Sequence, residues 1–302
     1  MKKLFTMLCL IVLGTGTSAF AQDVEVIEIK AKPLAVGTVI NRAMEGKMNM
    51  DQDVSMDGNV VRSMKIKGSM NSKTRWTVLA SDDKGVSKAK VHVIERKETM
   101  EVEGAPEGMG GENEDSPTSG NTYVITRGAD GVQITAEGDV EVTRDMEREI
   151  RNWIHDEAGT LISSSNGLEK LVSRGKFTVG SEVTLGRGDL EKFVGGDNSE
   201  FPIESMTFKP TGSRNVWGAD CAVFDVVAKV APEEGSEQGP PMTAEFTGEA
   251  ILRKDGGWMQ SCKLSGPINV DATEDHEGMS IEIKATGNMQ MNLHVLFEAK
   301  KQ

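Results

Sequence analysis

The sequence predicts a mainly β protein: a large curved antiparallel sheet, or half-barrel, built of long hairpins, with one or two short helices in the middle of the chain packing on the sheet. Three observations carry this. Apolar and polar residues alternate with a period of two along most of the chain, Asp-Gly-type turns separate the alternating runs, and a single central stretch switches to helical spacing.

The opening segment is read as a cleaved secretory signal peptide over residues 1–21. Lys2 and Lys3 precede an apolar run from Leu4 to Gly14, and Ala19-Phe20-Ala21 supplies a small-x-small exit before Gln22. The run falls short of the roughly 20 apolar residues a spanning helix needs. Cys9 lies inside it, not after it, and so does not mark a lipid anchor. No later segment is long and apolar enough for a membrane span. These features predict an exported, soluble protein, periplasmic or extracellular. Loss of Lys2 and Lys3 takes the formal charge from −13 to −15. So acidic a surface repels phosphates and anionic headgroups, which excludes nucleic acid as a partner.

A first β-rich lobe is expected over residues 22–141. Strands are read at Thr38 to Met50, Val60 to Gly68, Thr74 to Ser81, Val86 to Glu98, Tyr123 to Arg127 and Val132 to Ala136, with turns at Asp57-Gly58, Asp82 to Gly85 and Asp130-Gly131. Residues 103–120 are acidic and rich in Gly and Pro, and read as a flexible loop. A helical segment follows at 142–175. Val142, Met146, Ile150, Trp153 and Ile154 recur at helical spacing with Thr143 as cap and Gly159 as stop; a second helix runs from about Asn166 to Arg174 and ends at Gly175.

The second lobe, residues 176–302, contains a hairpin. Met242, Ala244, Phe246, Gly248, Ala250 and Leu252 share one strand face, Asp255-Gly256-Gly257 turns the chain, and Trp258, Cys262, Leu264 and Ile268 share the returning face. Met289, Met291, Leu293, Val295 and Phe297 repeat the pattern. Residues 232–241 form a second flexible loop. Val36-Gly37-Thr38-Val39 and Val179-Gly180-Ser181-Glu182-Val183 open the two lobes alike, which suggests a faint duplication or a coincidence of short motifs.

Chemistry-bearing residues are sparse. Cys221 and Cys262 are the pair left in an oxidising compartment, and their pairing is expected, with two buried thiols as the alternative. A bond closing about 40 residues would stabilise by roughly 4 kcal/mol. The four histidines do not cluster, no Gly-x-Ser-x-Gly elbow occurs, and Ser81-Asp82-Asp83-Lys84 falls in a turn, so no enzyme activity and no cofactor are expected. Methionine stands out: 15 remain after the leader, against 12 aromatic residues. Met44, Met48 and Met50 share one strand face. Thioethers fill cores, line adaptable apolar pockets or hold Cu(I), and all three uses stay open.

The leader, the long alternating strands, the Trp153 segment, the hairpin from Phe246 to Ile268 and the strand from Met279 to Phe297 resemble exported bacterial all-β proteins of uncharacterised function. More distantly they are similar to half-barrels of the lipoprotein-carrier type. That resemblance implies a sheet wrapped around helices and sheltering an acyl chain, and it carries over no site residues. If the sheet shelters an apolar small molecule or lipid, the inward-facing Ile150, Trp153, Met242, Phe246, Met289, Met291 and Leu293 are its candidate lining. The alternative is an envelope structural or interaction module with a filled core, whose protein partner the sequence does not name.

Overall fold

The computed structural model describes residues 25–82, 85–104, 113–128, 131–138, 140–150, 168–190, 203–231, 242–276 and 279–298. The leader at 1–21, the loop at 232–241, Trp153 and Gly159 lie outside them.

A first meander runs through β2 (Val39–Met56), β3 (Asn59–Asp82), β4 (Gly85–Glu103), β6 (Thr122–Gly128) and β7 (Gly131–Ala136), with the short β5 (Asn113–Asp115) beside β4. A second runs through β9 (Val183–Gly186), β10 (Ile203–Val216), β11 (Ala219–Val230), β12 (Met242–Arg253), β13 (Met259–His276) and β14 (Met279–Glu298). β14 lies antiparallel against β2, from Ile281 opposite Met56 to Glu298 opposite Val39. The result is one 12-stranded sheet, open at β7 and β9. β1 (Val26–Glu28) and β8 (Lys176–Thr178) make a separate two-stranded sheet. The short helices are α1 (Arg144–Glu149), α2 (Glu169–Val172) and α3 (Arg187–Leu190).

Local chemistry accounts for the punctuation. Asp57-Gly58 takes φ of 48° and 78°, the left-handed pair of a type I′ turn that matches the twist of its strands. The Thr143 hydroxyl accepts from Met146 N at 3.2 Å and caps α1, a contact worth about 1 kcal/mol. Gly175 ends the α2 segment with φ of 68°. The two lobe-opening motifs fold alike: Thr38 N donates to Ala35 O and Ser181 N to Thr178 O, both at 3.0 Å, while Gly37 N and Gly180 N each donate across to the adjoining strand.

Three expectations are corrected. The strands read at Val60 to Gly68 and Thr74 to Ser81 are one strand, the 24-residue β3. Its middle is polar in sequence, but Ser72 and Thr74 keep the period of two and are buried. The loop read over 103–120 is partly ordered, since β5 pairs with β4 and Ser116 and Thr118 are buried; residues 105–112 lie outside the described chain. The Cys221–Cys262 disulfide does not form, and both cysteines are free and buried. They sit on β11 and β13 with β12 between, about 10 Å apart in the hydrogen-bonding direction, beyond the reach of a disulfide.

One face of the sheet carries the core, in two filled blocks at its base. Ile27, Ile29, Leu168, Leu171, Val172 and Phe177 cover Phe208, Phe224, Ala250 and Leu252. Phe224 meets Phe177 and Phe208 edge to face, with centroids at 5.3 and 6.3 Å. Leu34, Met146 and Trp258 cover Trp76, Val91, Tyr123 and Ile125. Both buried indoles have acceptors: Trp76 Nε1 donates to Thr74 Oγ1 at 3.0 Å and Trp258 Nε1 to Lys32 O at 2.9 Å.

Candidate functional site

Beyond the filled base the same face continues along the distal halves of β12, β13, β14, β2, β3 and β4. Residues directly opposite one another in a ladder share a face, so the register yields rows. Gly266, Met289, Met48, Gly68 and Met100 stand side by side on five successive strands. The next row holds Leu264, Met291, Gly46, Met70 and Glu98, and the row on the far side of the first holds Ile268, Gly287, Met50, Ile66 and Val102. Methionine and glycine are therefore neighbours across strands as well as along them. Met48 Cε lies 3.5 Å from the place of a Cβ on Gly68, and Met70 Cε lies 3.7 Å from that place on Gly46. Each thioether side chain covers the gap its glycine neighbour leaves.

A second set of glycines bends the sheet. A Cβ on Gly248 would stand 1.7 Å from Lys263 O, one on Gly266 2.0 Å from Glu245 O, and one on Gly287 2.2 Å from Asn49 O. These three lie on β12, β13 and β14 along a diagonal that divides Ala250 and Leu264 from Ala244 and Ile268. Neighbouring backbone closes in on the core-facing side, so the sheet creases toward its apolar face.

Along the crease Val230, Ala244 and Ile268 are buried, while Met48, Met50, Met242, Phe246 and Met289 are half-buried around them on both of its sides. Of the expected lining, Met242, Phe246 and Met289 meet here. Met291 packs on the Phe224 block, Leu293 bridges both filled blocks, and Ile150 packs on the Trp76 block; Trp153 lies outside the described residues. Sequence reasoning missed Met64, Ile66 and Met70, which share this face: Met64 and Ile66 fell in a strand whose inner face was not assigned, and Met70 in the polar stretch of β3 read as a break. Their even spacing from Gly68 was the available signal.

Met44, Met48 and Met50 also share the face, strung along β2 over about 20 Å from first to last, too far for their sulfurs to converge on one ion. Among the described residues no three His, Cys, Asp or Glu side chains gather as a metal site. Burial pushes the Cys262 thiol up to about 12 and raises Cys221 as well.

The row nearest the base ends in polar residues. Leu293, Met44, Ser72 and Arg96 stand in line on β14, β2, β3 and β4. Arg96 pairs with Glu98, and its Nε is 3.9 Å from Glu149 Oε2. The Ser116 and Thr118 hydroxyls donate to the same carboxylate. The filled base and the methionine face are thus separated, at β4, by a half-buried charged group tied to α1.

No family model matches the chain, and no curated protein matches it. Solved structures match the chain at low similarity. A structure of lipovitellin, described for its lipid–protein interactions, is 9% identical over 90% of this chain and 26% of that one, with a TM-score of 0.45. An outer-membrane channel from Pseudomonas putida F1 is 7% identical over 88% and 98%, with a TM-score of 0.25. OpdQ from Pseudomonas aeruginosa is 7% identical over 87% and 98%, with a TM-score of 0.18. The chain spans about a quarter of the lipovitellin chain's length.

Glu45, Lys47, Asn49 and Asp51 on β2, Lys65 and Lys67 on β3, and Asn288 and Gln290 on β14 face outward and exposed. A lipid-facing strand carries apolar residues on that side. Here the apolar residues face the crease. Among the described residues no helix is long and apolar enough to cross a membrane.

Proposed function

We propose that this protein is an exported binding protein that shelters an apolar, acyl-chain-like ligand against the methionine face. One observation carries the reading: past its filled base, the inner face keeps Met48, Met50, Met242, Phe246 and Met289 only half-buried, on the side toward which the sheet bends. Apolar area left in water costs about 25 cal/mol per Å2 relative to burial, so a ligand laid there gains what the fold has not used. Unbranched thioether side chains adapt to a chain of undefined shape better than branched ones. The basic, apolar and small-residue order of residues 1–21 supports delivery outside the cytoplasm.

Solvent extraction of the purified protein followed by lipid mass spectrometry tests the reading. A stoichiometric acyl lipid, exchangeable for a fluorescent fatty-acyl probe, is the expected result. No extracted lipid together with no probe binding overturns it. The second reading is an interaction module, supported by the two solid blocks under Trp258 and Leu171, and it expects that negative outcome.

A further inference from the structure

The β10–β11 hairpin turns on Trp217 and Gly218, with φ of 49° and 83°. Asp57-Gly58 makes the same turn with a residue suited to it. A tryptophan in the left-handed region is an outlier, since small polar residues and glycine take that position without strain. Such strain persists where something beyond local stability requires it. Core packing does not account for it: Trp217 is 55% exposed. The turn is nonetheless held, because Asn215 Oδ1 accepts from Gly218 N at 3.1 Å.

The indole leans across the outer face to His294 on β14, three strands from β11, and meets it edge on with centroids 6.0 Å apart and planes at 66°. Beside it lies a cavity of about 400 Å3 lined by Ala43, Ile94 and Leu296 together with Asn41, Arg42, Lys73 and Thr74. Ile94 and Leu296 are exposed apolar side chains.

We propose that this cavity binds a flat aromatic small molecule between the Trp217 indole and the aliphatic Ala43, Ile94 and Leu296. Its volume suits a two-ring compound. A ring of that kind places apolar atoms against both walls and stacks offset on the indole. A sugar of similar size would turn part of its hydroxyls toward Ala43, Ile94 and Leu296, where they lose water without gaining a partner, and only those reaching Asn41, Arg42, Lys73 or Thr74 would recover one. The site shares no residue with the methionine face and stands whether or not that face holds lipid.

Calorimetric titration of 2-naphthol into the full chain, beside methyl glucoside, tests the proposal. We expect saturable binding of 2-naphthol only, weakened at least about tenfold in Trp217→Asn and in Leu296→Gln. Trp217→Asn discriminates further. Asparagine accepts the left-handed conformation, so Tm rises as binding is lost. A fall in Tm would assign the indole to packing and overturn the argument. So would unchanged 2-naphthol affinity in Trp217→Asn, or no binding to the unaltered protein at about 1 mM.

Discussion

The carbonyl oxygen of Lys263 stands 1.7 Å from the point that a Cβ on Gly248 would occupy. No rotamer relieves that clash, because the obstacle is backbone. Gly248→Ala is therefore expected to destabilise by several kcal/mol, about 3 or more, or to prevent folding. Gly68→Ala meets only the movable end of Met48 at 3.5 Å, and Gly186→Ala meets nothing within 4 Å. Both should stay within about 1 kcal/mol of the parent. Denaturant unfolding of the three variants checks the order, and equal costs would dismiss the crease.

Cys221 and Cys262 face opposite sides of the sheet in separate apolar clusters. Intact-mass measurement should show no change on reduction, and iodoacetamide at pH 8 should label neither thiol in the folded protein. Both should label in guanidinium. Rapid labelling of native Cys262 would contradict its burial.

The same thiol predicts a pH dependence. An unfolded chain releases the Cys262 proton near pH 8.5, whereas the folded one holds it to about 12. Between those values the unfolded state binds fewer protons, so stability falls as pH rises, by up to ~1.4 kcal/mol per pH unit. Below about pH 8.5 both states keep the proton and the contribution of Cys262 is constant. Cys262→Ala should flatten the decline measured by urea unfolding between pH 9 and 11, and an unaltered slope would refute the assignment.

Filled base and methionine face should answer truncation differently. Phe224→Ala opens a cavity between Phe177 and Phe208 and is expected to cost about 3–5 kcal/mol. Met48→Ala removes a half-buried side chain and should cost less than about 2 kcal/mol while weakening a fluorescent acyl probe several-fold. Comparable losses of stability with intact probe binding would place Met48 in an ordinary core.

The hairpins were legible because alternation is a local property: Met242 to Leu252 and Met289 to Phe297 each name their own inner face. Ser72 and Thr74 broke the pattern because burial of a hydroxyl depends on strands that lie far away in sequence. The site was legible in part for the same reason. Met289 read as inward and Met48 as sharing a face with Met44 and Met50, but that Met289 and Met48 stand directly opposite one another follows from the pairing of β14 with β2. The crease was invisible, since Gly248, Gly266 and Gly287 fall into a diagonal only when three registers are known. The cysteines misled because an even count says nothing about the strand between them.

The β14–β2 ladder also bears on how the protein is made. Asn41 reaches Glu298 across 257 positions of sequence. During synthesis β2 can pair with β3 at once, yet its other edge waits for the final long strand to emerge. Contacts so remote in sequence close slowly, and meanwhile that edge is open to adventitious strand pairing. The outward lysines and acids flanking it, Glu45, Lys47 and Asp51, guard a half-finished sheet as well as solvate the completed one.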